Sequence, residues 1–177
     1  MISERITKIL REVLEREGWP AYTEHPNDKG GPTKGGITIR TLEQWRQRRC
    51  TRVELKRLPE DEAMRILFRR YVEVQGIWKM EPSALQEQII DNAILSGPAL
   101  AVKDLQSTLG VTADGIIGPI TLGAIDERAR DSETGSAQLC RQLAVTRALR
   151  LTNFVKKNPE QIVFLVGWLR RVFSFLD

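Results

Sequence analysis

Helical periodicity, with its own start and stop chemistry, runs along nearly the whole chain and is broken by one long glycine-rich loop. Ile6, Ile9, Leu10, Val13 and Leu14 recur at three- and four-residue steps, which predicts an amphipathic helix ending on Glu17-Gly18. The same spacing puts Glu17 on the apolar stripe, where a carboxylate needs a reason to be. The loop follows from Tyr22 to Thr38, with Gly30, Gly31, Gly35 and Gly36 inside it.

Beyond the loop the helix signals resume. Thr41 with Gln44, and Thr51 with Glu54, have capping-box spacing. Pro59 is placed to open a helix with Ala63, Ile66, Leu67 and Val74 on its inner side. Pro82 does the same for a helix carrying Leu85, Ile89, Ile90 and Ala93 up to a stop at Gly97. Another helix runs from Pro98 to Leu109 and ends at Gly110. Asp114-Gly115 and Gly118-Pro119 then punctuate a turn before a helix from Ile120. Two longer helices close the chain, one over Ser136 to Lys157, the other from Pro159 with Phe164, Trp168, Val172 and Phe175 along one side. Strand signals appear only around 21–23 and 36–39. The expected fold class is mainly α, with a small β-hairpin near Glu17.

Composition narrows the function classes. A chain of 177 residues, 41% hydrophobic and 28% charged, buries an ordinary globular core. The apolar run from Ile162 to Leu169 contains a glycine and is closed by Arg170-Arg171, well short of the roughly 20 residues that cross a bilayer. Met1 to Arg5 lead straight into the amphipathic pattern, without the apolar stretch and small-residue cleavage site of a secretory signal, so none is expected. Cys50 and Cys140, with no CxxC and a single histidine, point to free thiols and not to zinc, so neither a metal nor a cofactor is expected. A net charge of +4 favours anionic partners, such as nucleic acid, anionic lipid or the bacterial wall. The basic clusters at Arg46 to Arg49 and at Arg69-Arg70 lie in helical patterns and read as solvated faces. Nothing resembles a DNA-reading helix with its turn, so nucleic acid is not an expected partner.

The loop suits glycosidic chemistry. That reaction needs an acid for the leaving oxygen and a second group to stabilise the sugar cation or activate water. Burial at the end of an apolar face would keep a proton on Glu17, while Asp28 in a polar loop would stay ionised. Gly31 and Gly36 let the backbone approach a ligand, Thr33 and Thr38 offer hydroxyls, and Trp19 and Tyr22 offer flat apolar surface. Each has a plainer reading as well. Glu17 is then a helix-terminal carboxylate in water capped by Gly18, Asp28 a turn residue bonded to its own backbone, the threonines loop hydroxyls, and the aromatics packing.

Glu17-Gly18, then Tyr22, then Pro26-Asn27-Asp28-Lys29-Gly30-Gly31-Pro32-Thr33-Lys34-Gly35-Gly36-Ile37-Thr38 resembles the N-terminal motif of glycoside hydrolase family 108, the bacterial and phage N-acetylmuramidases. Trp19-Pro20-Ala21 replaces the family's second glycine and adds two residues before Tyr22, and His25 stands where the family has Asp. A second block, Asp91-Asn92 through Leu105-Gln106 to Asp114-Gly115-Ile116-Ile117-Gly118-Pro119-Ile120-Thr121, is similar to the family's predicted peptidoglycan-binding region. Leu95 there replaces an Asn, and the Asp114 turn reads equally as a rigid corner between helices. Phe164 to Val172 resembles the closing helix, for which core packing is expected over membrane contact.

The resemblance implies a lysozyme-like helical fold, with a catalytic part over 1–80 and a peptidoglycan-binding part over 81–177 packed as one unit. It implies cleavage of the β-1,4 bond between N-acetylmuramic acid and N-acetylglucosamine by general acid catalysis. Glu17 is then the acid, Asp28 and Thr33 the second carboxylate and hydroxyl, and Trp19, Tyr22, Gly31, Gly36 and Thr38 line the substrate. Peptidoglycan is the expected partner, and the protein a monomer without stable membrane insertion. It would be made in the bacterial cytoplasm and reach the wall through another protein's pore, as a phage endolysin does. The alternative is a peptidoglycan-binding module without catalysis.

Overall fold

The computed structural model describes residues 4–24, 31–81, 83–130 and 135–176. The chain divides into two compact units, Met1–Arg70 and Tyr71–Asp177.

In the first unit, α1 (Glu4–Arg16) buries Ile6, Leu10, Val13 and Leu14, the stripe the periodicity predicts, and packs on the helix Glu60–Phe68. The helix stops at Arg16 because Gly18 turns left-handed, at φ 79°. Its N–H donates to the Glu15 carbonyl and that of Trp19 to the Leu14 carbonyl, the bond pair of a Schellman ending. Glu17 is therefore the C-cap residue and is exposed. The burial expected for it from the stripe is absent, because the helix ends before a further turn would carry it inward.

Three short strands follow, β1 (Tyr22–Thr23), β2 (Thr33–Lys34) and β3 (Ile37–Thr38), antiparallel in that order. The middle strand was not evident from residue preferences. It forms because Gly35 and Gly36 both take positive φ, 51° and 74°, which a tight two-residue hairpin between Lys34 and Ile37 requires. α2 (Ile39–Arg46) leaves β3 directly, and Thr38, not Thr41, is its cap, accepting the Thr41 N–H at 3.1 Å. α3 (Arg52–Lys56) carries the expected Thr51–Glu54 capping box. α4 (Glu60–Phe68) follows Pro59 and buries Ala63, Ile66 and Leu67. Val74 does not join them and is 54% exposed. A π-helical turn, Arg69–Glu73, widens the helix and advances the register, so the inward position falls on fully buried Val72.

The second unit holds α5 (Ala84–Ser96), α6 (Pro98–Leu109), α7 (Pro119–Arg130), α8 (Gly135–Lys157) and α9 (Ile162–Phe173), the last preceded by a 3-10 turn at Pro159–Gln161. Gly97, at φ 93°, ends α5 and starts α6, with Pro98 in the first helical position. Pro82 lies outside the described residues, and Ser83 caps α5.

The core of this unit is partly ionic. Arg147 is fully buried, donates to Asp91 at 2.7 Å and lies 5.7 Å from the Phe175 ring. Arg171 bonds the other oxygen of Asp91 at 2.6 Å. Arg150 grips both oxygens of Asp104 and also bonds Asn92 and Ser96. These bonds tie α5, α6, α8 and α9 together, so Asp91 and Asn92 of the second sequence block do internal work. α9 packs through buried Val172 with half-buried Leu165 and Trp168. Phe164, expected inside, is 53% exposed. Among the described residues no helix is long and apolar enough to cross a membrane.

Candidate active site

The Schellman ending holds Glu17 at the C-terminus of α1, against the negative end of the helix dipole. Stability alone does not select a carboxylate for that place. The hairpin folds back beneath it: a Cβ built on Gly36 would lie 3.1 Å from Glu17 Oε2 and 3.2 Å from its Cγ. Gly36 thus serves twice, taking the left-handed conformation of the turn and leaving room for the Glu17 side chain against the backbone.

The partners around this contact are fixed by other means. A Cβ on Gly35 would fall within 2.6 Å of the Trp19 ring, so half-buried Trp19 packs against the turn as Glu17 does. Lys34, buried on the middle strand, stands 4.6 Å over that ring and donates to the carbonyls of Lys56 and Leu58 at 2.8 and 2.9 Å. A buried ammonium satisfied by two carbonyls and an aromatic face clamps the hairpin to the end of α3. Residue preferences did not single out Lys34. Its inward side follows only once the Lys34–Ile37 pairing is known.

The other candidates fall into place as follows. Tyr22 donates to Glu24 at 2.7 Å and lies 4.6 Å beneath the Lys56 ammonium, while Glu24 pairs with Arg52 at 2.8 Å. The hydrogen bond to Glu24 raises the phenol above its usual pKa. Thr33 is half-buried, paired with Thr23 on one side and Thr38 on the other, and donates to the Gly31 carbonyl at 3.1 Å. Thr38 caps α2 and its hydroxyl lies 3.0 Å from that of Thr41. Gly31 takes φ 72° with open space around it. Asp28 and His25 lie outside the described residues. The structure thus brings Glu17, Trp19 and the Gly35-Gly36 turn together and sets Thr33 and Thr38 on the same small sheet.

In the second unit the Asp114 turn is stitched internally. The Gln106 amide donates to Asp114 at 2.7 Å, to the Ile116 carbonyl and to Thr121, and accepts the Gly115 N–H at 2.8 Å. The hydrogen bond from Gln106, then that from the Ile116 N–H, lowers the pKa of Asp114. The corner is a scaffold between α6 and α7.

The family model of glycosyl hydrolase 108 matches residues 10–97, and that of a predicted peptidoglycan domain matches residues 100–173. Among solved structures, that of Brucella abortus SagA is 30% identical, with a TM-score of 0.68 over 97% of this chain and 95% of SagA. No curated protein matches the chain.

Proposed function

Because this chain belongs to the glycosyl hydrolase 108 family and is a glycoside hydrolase acting on peptidoglycan, we propose that it cleaves the β-1,4 bond between N-acetylmuramic acid and N-acetylglucosamine, with Glu17 as general acid. The observation that carries this reading is the placement of the Glu17 carboxyl directly over Gly36. A sugar laid along the hairpin would meet backbone at the turn and bring its bridging oxygen within hydrogen-bond reach of Glu17. Asp28 orients water or stabilises the developing cation, and Thr33 assists from the middle strand. Trp19 and Tyr22 shape the wall of the site through their contacts with Lys34 and Lys56.

Residues 1–80 supply the chemistry and 81–177 hold the wall. The protein works as a monomer in the manner of a phage endolysin, reaching the wall through a pore made by another protein. The test is Glu17→Gln on purified peptidoglycan in heavy-oxygen water, with anomer-resolved mass analysis of early fragments. The parent should release fragments labelled at a muramic acid reducing end, and Glu17→Gln should be slower by roughly a hundredfold or more, the usual worth of a general acid. Equal clearing by parent and variant would leave a wall-binding module as the better account.

A further inference from the structure

Within the first unit, α2 and the end of α4 border an open groove of about 470 Å³ that the proposed chemistry does not use, lined by Thr41, Gln44, Trp45, Gln47, Arg69 and Arg70. Three- and four-residue spacing puts Thr41, Gln44 and Trp45 on one face of α2, and Ile66, Arg69 and Arg70 on the facing turn. The lining is chemically mixed in a particular way. Two guanidinium groups match the planar fork of a carboxylate. An indole offers a flat face to a pyranose ring, and amides and a hydroxyl suit sugar hydroxyl and acetamido groups.

The groove is also organised. Trp45 hydrogen-bonds Glu62, which Arg46 grips through two nitrogens at 2.9 and 2.7 Å. Arg70 donates to the Thr41 hydroxyl at 3.2 Å, and that hydroxyl lies 3.0 Å from Thr38, two residues beyond the glycine under Glu17. A hydrogen-bonded track therefore runs from the hairpin to the guanidinium. Arg69 and Arg70 open the π-helical turn, a departure from regular helix that recurs at functional sites.

We propose that this groove is a subsite for an acidic glycan residue, in which Arg69 and Arg70 take a carboxylate borne by a muramyl unit while Trp45 and the Gln44 and Gln47 amides take the sugar. This rests on the proposed function and adds to it a means of telling muramyl strands from neutral ones. The carboxylate has two sources, the lactyl group of stem-free strands and the stem peptide of intact ones.

Binding is measured by calorimetry on the full chain carrying Glu17→Gln, so that nothing turns over, with stem-free strands, stem-bearing strands and neutral chitotetraose. Arg69→Gln/Arg70→Gln should weaken at least one acidic strand about tenfold and leave chitotetraose within twofold; whichever strand loses affinity identifies the carboxylate. Equal weakening of acidic and neutral glycans, or of neither, overturns the subsite. If the double variant does not fold, the Glu17→Gln protein alone decides. Amidating the carboxylates of the strands should cost the same tenfold, and no loss overturns the subsite. Fragment release by the unmodified parent, scored separately, reports on the hydrolase reading alone.

Discussion

Replacing Gly36 by Ala perturbs the candidate site with a single methyl group. Two costs follow from its position. The backbone sits at φ 74°, where a side chain costs on the order of 1–2 kcal/mol. The methyl would also lie 3.1 Å from Glu17 Oε2 and 3.2 Å from Cγ, so the Glu17 side chain must give by a few tenths of an ångström. A misplacement of about 1 Å at a reacting centre is worth on the order of a hundredfold in rate, so this smaller shift should cost roughly tenfold. Gly110→Ala is the matched control: it sits at φ 75° with nothing within 4 Å of its Cβ. Both variants should lose about 1–2 kcal/mol in urea unfolding. Only Gly36→Ala should slow reducing-end release from peptidoglycan. The reasoning is refuted if Gly36→Ala cuts as fast as the parent, or if Gly110→Ala slows it equally.

Arg147→Met removes a cation that burial pulls below its usual pKa while Asp91 opposes the shift. It leaves Asp91 underpaired and should cost roughly 3–5 kcal/mol in chemical unfolding, much of it recovered by adding Asp91→Asn. Glu54 is held at about 2, below 4.5, by hydrogen bonds from Arg48 and then the Thr51 N–H. A carboxylate held low stabilises the fold above its ordinary pKa and loses that contribution as pH falls through the folded value. Thermal stability should therefore fall from about pH 4.5 down to about 2, and Glu54→Gln should flatten that limb. Burial pushes the Cys140 thiol up, so a disulfide reagent should label half-buried Cys50 first and Cys140 only on unfolding.

Much of this was legible in the residues because the helices follow local rules. Gly97-Pro98 and Gly110 mark helix ends where the structure has them, and the Thr51–Glu54 box caps α3 as its spacing says. The stripe on α1 announces the helix but not its last turn, since the stop depends on bonds back from Gly18 and Trp19 that periodicity does not encode. Val74 fell out of register because a π turn adds to a helix without altering the pattern that predicts it. Nothing in the glycine-rich loop marks Lys34, and only the pairing imposed by Gly35-Gly36 turns it inward. Spacing puts Phe164 on the inner side of α9, but it is 53% exposed and stacks on Trp168 of its own helix, with ring centroids 5.8 Å apart.

The Asp91 carboxylate, shared by Arg147 of α8 and Arg171 of α9, bears on how such a protein can change over generations. Replacing Asp91 leaves fully buried Arg147 without its counter-charge, and replacing Arg147 leaves nearly buried Asp91 with one cation where it had two, so these single steps away are steep. A descendant with an apolar centre at this point would need two or three changes close together in time. Surface positions such as Ile120 and Val163, 77% and 73% exposed, carry no such debt and can drift one at a time. The ionic centre should therefore be inherited as a set.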